Sequence, residues 1–150
     1  MKGVAMKSRK TLASIVIMCV LALPAFAGGK GEIQGYFNDA ATKAKAAAST
    51  SEKRQILNES FHTMSAALDI VKSLPLVSND DVEGINRLKA TLQQKQDELA
   101  GNNGYARVPD NQLNAFSDYV VQDMEQADQV VTISLVTLLL IVILIVLIAK

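Results

Sequence analysis

Few side chains in this sequence have the type and spacing that chemistry requires. The only histidine is His62, with Glu59 one helical turn before it as a possible partner, and no second histidine or cysteine stands near it to complete a zinc site. The only cysteine, Cys19, lies inside an apolar run near the N-terminus, where it is a small hydrophobic residue. We therefore predict no catalytic residue, no cofactor-binding residue and no metal ligand.

Two short motifs come closest to a binding loop. The segment from Asn79 to Gly84 alternates oxygen-bearing residues and has glycine sixth, but the twelfth position is Ala90, where a calcium loop needs a bidentate glutamate. Acidic residues at a helix N-terminus explain the same segment through the helix dipole. The segment from Gly101 to Gly104 lacks the lysine of a phosphate-binding loop. The pattern favours a protein that is not an enzyme.

The charges are distributed unevenly along the chain. All fifteen acidic residues lie between Glu32 and Asp128, and residues 28–129 carry ten basic residues, a net charge of −5. This acidic segment has no basic patch for nucleic acid. Its last acids, Asp118 to Asp128, would be repelled by an anionic lipid surface, so we expect the segment to stand away from the membrane.

The C-terminal tail is the most informative part of the sequence. Residues 130–149 contain twenty consecutive uncharged and mostly apolar residues, followed by Lys150. A helix of this length measures roughly 30 Å, the thickness of the hydrocarbon core of a bilayer. The tail therefore predicts a single transmembrane helix. Within it, Ser134 and Thr137 could form hydrogen bonds across helices.

The N-terminus has the three parts of a secretory signal peptide. Basic residues at Lys2 to Lys10 precede an apolar run from Leu12 to Leu23, and small residues lead to Ala27. We predict a cleavable signal peptide over residues 1–27; an uncleaved signal anchor is the alternative. The resulting topology is a single-pass cell-membrane protein with residues 28–129 outside, periplasmic or extracellular, and Lys150 in the cytoplasm.

Between the two apolar ends, the spacing of apolar residues predicts helices throughout. A first helix covers roughly Glu32 to Ala48, and the segment from Ser49 to Glu52 matches a capping box that starts a second helix; an uninterrupted helix through Thr50 is the alternative. The second helix carries a heptad-like stripe, as in a coiled coil, for which an intramolecular core is favoured over an oligomer interface. The stripe consists of Leu57, Phe61, Met64, Leu68 and Val71.

Two further helices complete the predicted bundle. Ser78 or Asp80 would cap the third helix, and Gly101 would end it in a left-handed conformation. Asp110 would cap the fourth. Because neither glycine nor proline follows, the pattern favours one unbroken rod from about Asn111 to Ala149; a joint near Asp128 is the alternative.

These observations predict an all-α protein: a small three- to four-helix bundle over residues 28–129, preceded by a signal peptide over 1–27 and followed by a transmembrane helix over 130–149. The function that they favour is an interaction or structural subunit of a membrane complex, with the lipid bilayer and a protein partner or a homo-oligomer as its contacts. The alternative is a helical sensor or ligand-binding accessory module that signals through the span of a partner.

Overall fold

The computed structural model describes residues 31–130 and 133–149. Over these residues the chain is entirely helical and contains no strand, which confirms the all-α prediction for the part that is described. The predicted signal peptide, residues 1–27, lies outside it. The elements are α1 (Glu32–Ala46), α2 (Thr50–Lys72), α3 (Asn79–Ala100), a 3-10 turn (Asp110–Gln112), α4 (Leu113–Val130) and α5 (Leu135–Ala149).

The break between α1 and α2 is formed by the predicted capping box. The Ser49 hydroxyl accepts a hydrogen bond from the N–H of Glu52 at 3.2 Å, and the Glu52 carboxylate accepts one from the N–H of Ala48 at 3.2 Å. Lys53 donates to the carbonyl of Ala44 at 3.1 Å, which places a cation at the negative end of α1. The chain therefore reverses direction within a few residues, and α1 packs against α2.

The central element of the bundle is α2, which contacts each of the other four helices. Its predicted stripe is fully buried, each of the five side chains being no more than 2% exposed. The rings of Phe37 on α1 and Phe61 on α2 are 5.7 Å apart, within the range of favourable aromatic pairs. The stripe is thus an intramolecular core, as expected.

Both ends of α3 match the sequence prediction. The Ser78 hydroxyl accepts a hydrogen bond from the N–H of Asp81 at 3.1 Å, and Gly101 ends the helix with φ 77°. A β-carbon on Gly101 would lie 2.8 Å from the backbone nitrogen of Arg107. Glycine is therefore required here for both its left-handed conformation and the close approach of the following loop.

The predicted cap of the fourth helix is wrong. Pro109 precedes the 3-10 turn, and no side chain caps it. The Asp110 carboxylate instead accepts hydrogen bonds from Arg54 on α2, at 3.1 and 2.8 Å. Arg54 also donates to the carbonyls of Val108 and Leu99. The Arg54 guanidinium on α2 thus binds the loop between α3 and α4. Because the Asp110 carboxylate pairs with Arg54, it does not cap the helix as the sequence predicted.

The predicted continuous rod is also wrong. The helix α4 ends at Val130, Ile133 and Ser134 are not helical, and α5 starts at Leu135. Residues 130–133 are all β-branched, which lowers helix propensity. Ser134 then caps α5, since its hydroxyl accepts from the N–H of Thr137 at 3.4 Å. With α5 covering fifteen residues, none of the described helices has the length and apolar character needed to cross a membrane.

Candidate functional site

The contact between α5 and the rest of the bundle, here called the seam, covers one face of α5 and leaves the other exposed. One face of α5 is buried on the bundle and comprises Thr137, Leu138, Ile141 and Ile145. The opposite side is open to solvent although it is purely apolar: Val136 is 61%, Ile143 54% and Leu147 59% exposed. Contiguous exposed apolar side chains are characteristic of membrane or protein contacts.

The two ends of the seam fix the direction of α5. Ser134, at its start, contacts Asp81 near the N-terminus of α3, nine residues beyond Lys72, the last residue of α2. Ile145, near its end, lines a cavity with Met64 in the middle of α2. The helix α5 therefore runs back along α2 in the antiparallel direction.

At the end of the seam where α5 begins, Asp81 of α3 binds the N-terminus of α5. Its carboxylate accepts hydrogen bonds from the Ser134 N–H at 2.9 Å, from the Ser134 hydroxyl at 2.6 Å and from the Thr137 hydroxyl at 2.6 Å. A helix N-terminus has unpaired N–H groups and a partial positive charge, so an acidic side chain from α3 is a suitable partner for it. Asp81 thus acts as a capping carboxylate supplied by another helix.

These contacts also set the ionisation of Asp81. Burial raises the pKa of this carboxyl, but the hydrogen bonds from Ser134, Thr137 and Ser78 lower it by more, and the net pKa lies below its usual value. Asp81 is only 5% exposed, so its charge interacts with the start of α5 with little screening by water. The Asp81 carboxylate is therefore ionised at neutral pH, and the hydrogen bonds that it accepts from Ser134 and Thr137 are charge-assisted.

At the other end of the seam is a small cavity of about 10 Å³, close to the minimum for one water molecule. It is lined by Glu32, Ile33 and Tyr36 of α1, Met64 of α2 and four apolar residues of α5. Glu32 is 8% exposed, and neither oxygen of its carboxylate has a hydrogen-bond partner among the described residues. Burial of a carboxylate without a hydrogen-bond partner is unfavourable.

A second buried charge lies away from the seam, between α3 and α4. The Lys95 ammonium is 2.5 Å from the Asp123 carboxylate, 3.2 Å from that of Glu98 and 3.8 Å from the centre of the Tyr119 ring. Burial lowers the pKa of Lys95, but the contacts with Asp123, Tyr119 and Glu98 raise it by more, so the pKa lies above its usual value. The partners of Lys95 belong to α3 and α4 of the same chain, so this cluster holds α4 against α3.

The segments considered for chemistry in the sequence have other roles. Asn79 to Gly84 forms the first turns of α3 and not a loop, and the Asp81 carboxylate there is directed to Ser134 and Thr137. His62 is exposed on α2. Within the described residues no group of histidine, cysteine and acidic side chains could hold a metal ion.

The residues that form the seam were only partly visible in the sequence. The sequence allows Ser134 and Thr137 to form hydrogen bonds across helices within a transmembrane span; in the structure they donate instead to Asp81, near the N-terminus of α3 in the bundle. Glu32 gave no signal, because an acid in the first turn of a helix is ordinary. Comparison with protein-family models, with curated proteins and with solved structures gave no match.

Proposed function

We propose that this chain is a membrane-anchored interaction subunit: an exported helical bundle held at the cell membrane by its C-terminal residues, acting through contact and not through catalysis. The observation that carries the proposal is the outer face of α5, where Val136, Leu139, Ile143 and Leu147 are exposed together. In water this face is unfavourable by roughly 25 cal/mol for each Å² of apolar surface. In a bilayer the same face contacts lipid.

Anchoring requires α5 to leave the bundle. Its fifteen residues give about 22 Å of helix, and the five preceding residues, 130–134, are also uncharged. If the joint between α4 and α5 straightens, the twenty residues together reach roughly 30 Å, which matches the hydrocarbon core. The structure with α5 against α2 is then the form of the chain outside the bilayer, with the anchor partly covered.

The orientation follows from the charges. With the bundle outside and Lys150 in the cytoplasm, the basic residue that follows the apolar tail lies on the side where positive charge is favoured. The net charge of −5 on residues 28–129 directs the bundle towards a partner with a basic surface, because complementary charge accelerates and selects association.

Contact is favoured over chemistry by the state of the buried polar groups. Asp81 is engaged by α5, and Lys95 is engaged by Asp123 and Glu98. The cavity beside Glu32 has about 10 Å³, which is far below the 300 Å³ or more of typical ligand sites. The cavity beside Glu32 therefore gives no support for the binding of a small organic molecule.

Extraction of membranes with alkaline carbonate tests the anchor. We expect the full-length chain to remain in the membrane pellet and the double variant Leu139→Lys/Ile143→Lys to be extracted, since each lysine near the centre of a span costs roughly 3 kcal/mol. The matched control, Ile70→Lys/Leu76→Lys, places the same charges on exposed apolar residues outside α5 and should stay in the pellet. Extraction of the unmodified chain, or retention of the α5 variant, would contradict the proposal.

A further inference from the structure

We propose that the groove which α5 fills is a docking site for one helix of a partner protein, and that this helix has a serine or threonine at its N-cap and a lysine or arginine seven to eleven residues later. The groove is formed by Glu32, Ile33 and Tyr36 of α1, Met64 of α2 and Asp81 of α3. The inference rests on the proposed function, because insertion of α5 into the bilayer empties the groove.

The middle of the groove is apolar and needs a cover. Ile33 is 3% and Met64 1% exposed while α5 is in place, and both line the cavity that Ile141 and Ile145 close. Withdrawal of α5 opens this apolar surface to water, which is unfavourable in proportion to its area. A helix from another protein restores the cover in the geometry that the groove already accepts.

The first end of the groove selects a helix N-terminus. Asp81 accepts one backbone N–H and two hydroxyl hydrogen bonds from the start of α5. Any helix that begins with serine or threonine at the same place can supply these donors, because the orphan N–H groups of the first turn are common to all helices. The direction of the partner helix is thereby fixed.

The second end selects a cation. Glu32 is more than nine-tenths buried, and α5 presents only apolar side chains to its carboxylate. The α5 residues around this cavity lie four to eleven positions after Ser134, namely Leu138, Ile141, Val142 and Ile145. Lysine or arginine seven to eleven positions after the N-cap would reach Glu32 and supply the charge that a buried carboxylate needs. Thus α5 fits the shape of the groove but not its charge.

The same features favour a protein helix over lipid. A hydrocarbon chain offers no donor to Asp81 or Glu32, and anionic headgroups would be repelled by the two carboxylates. A helix with a capped start and one basic residue satisfies both ends at once.

The test uses the full-length chain in lipid nanodiscs and two fluorescent probe peptides. The reference peptide has the sequence of residues 133–149 with glutamine at the outward positions 136, 139, 143 and 147; the second peptide adds Val142→Lys. We expect the lysine peptide to bind at least about tenfold more tightly, since one paired charge at a partly buried site is worth about that factor. The Glu32→Gln chain should bind the two peptides equally, and Asp81→Asn should weaken both.

Failure of this inference can be separated from failure of the anchor. If the chain inserts into the nanodisc and both peptides bind equally or not at all, the docking groove is refuted and the anchor stands. If the chain does not insert, the proposed function is refuted and the inference with it.

A second measurement addresses Glu32 without lipid. In the full-length chain with α5 in the groove, Val142→Lys should raise the urea midpoint of unfolding relative to Val142→Gln, because only lysine can pair with Glu32. In the Glu32→Gln chain the two substitutions should give the same midpoint. Equal midpoints in both chains would overturn the assignment of Glu32 as a cation acceptor.

Discussion

Asp81 is the residue whose substitution reports most directly on how α5 is held. Its carboxylate accepts three hydrogen bonds from Ser134 and Thr137, at 2.9, 2.6 and 2.6 Å, and is 5% exposed. A hydrogen bond to a charged group contributes about 1.5–3 kcal/mol and a neutral one about 1 kcal/mol. Asp81→Asn keeps the shape and removes the charge, so each contact weakens by about 1 kcal/mol. We expect the docking of α5 to weaken by about 2–3 kcal/mol.

The assay is the rate at which a thiol reagent modifies Ile141→Cys in the lipid-free chain. Ile141 is 1% exposed in the seam, and Cys19→Ser removes the only native thiol. Modification requires α5 to detach, so a loss of 2–3 kcal/mol raises the rate roughly 30- to 140-fold. The matched control is Asp80→Asn, because Asp80 is one residue away and is exposed. This substitution removes only the interaction of the Asp80 charge with the helix dipole, so it should change the modification rate by less than about threefold.

Equal modification rates for the Asp81→Asn and Asp80→Asn chains would refute the role of Asp81 in holding α5.

The pH dependence of stability gives a second check on Asp81. Because the pKa of Asp81 is lowered from 3.8 in the folded chain, its contribution to stability is fully present above that value and is lost as the pH falls through the lowered pKa. The difference in unfolding free energy between the unsubstituted chain and the Asp81→Asn chain should be constant from about pH 5 to 8. It should decrease only in stronger acid.

Three substitutions in the bundle have outcomes that urea denaturation followed by circular dichroism can check. Leu68→Ala opens a cavity at a fully buried site of α2 and should cost about 3 kcal/mol. Gly101→Ala places a β-carbon 2.8 Å from the Arg107 nitrogen at φ 77° and should cost about 2 kcal/mol. Lys95→Met leaves Asp123 without its cation and should cost about 3 kcal/mol at pH 7. Because the pKa of Lys95 is raised above 10.5, this last difference should persist below that pH and shrink as the pH rises through the raised pKa.

Exposed Gln94 on α3 serves as the control for these three, and Gln94→Ala should change the unfolding free energy by less than about 0.5 kcal/mol. A loss below 1 kcal/mol for Leu68→Ala would contradict the placement of the stripe in the core. A Gly101→Ala chain as stable as the original would show that the loop relaxes around the added carbon.

Local chemistry explains which features of the fold were predictable. The capping box at Ser49, the stripe from Leu57 to Val71 and the left-handed Gly101 each depend on residues a few positions apart, and each is confirmed. The cap assigned to Asp110 is wrong because Arg54, far away in sequence, binds that carboxylate. Propensity within a short window contains no information on such a contact.

The seam shows the same limit more strongly. No sequence window brings Asp81 together with Ser134, or Glu32 together with Ile141, because their proximity follows from α5 turning back along α2. The joint between α4 and α5 was not predicted because residues 130–149 are uncharged and mostly apolar without interruption. The four β-branched residues 130–133 lower helix propensity but do not forbid a helix. Tertiary burial of Ile141 and Ile145 favours the turn of α5 back along α2.

The most direct test of the membrane anchor is protease protection of the full-length chain in sealed membranes that expose the outer face, with the products identified by mass spectrometry. We expect digestion of residues 28–129 and one protected fragment that contains residues 130–149. Complete digestion of the tail together with the bundle would show that the tail is accessible from the outer face and would contradict the membrane anchor.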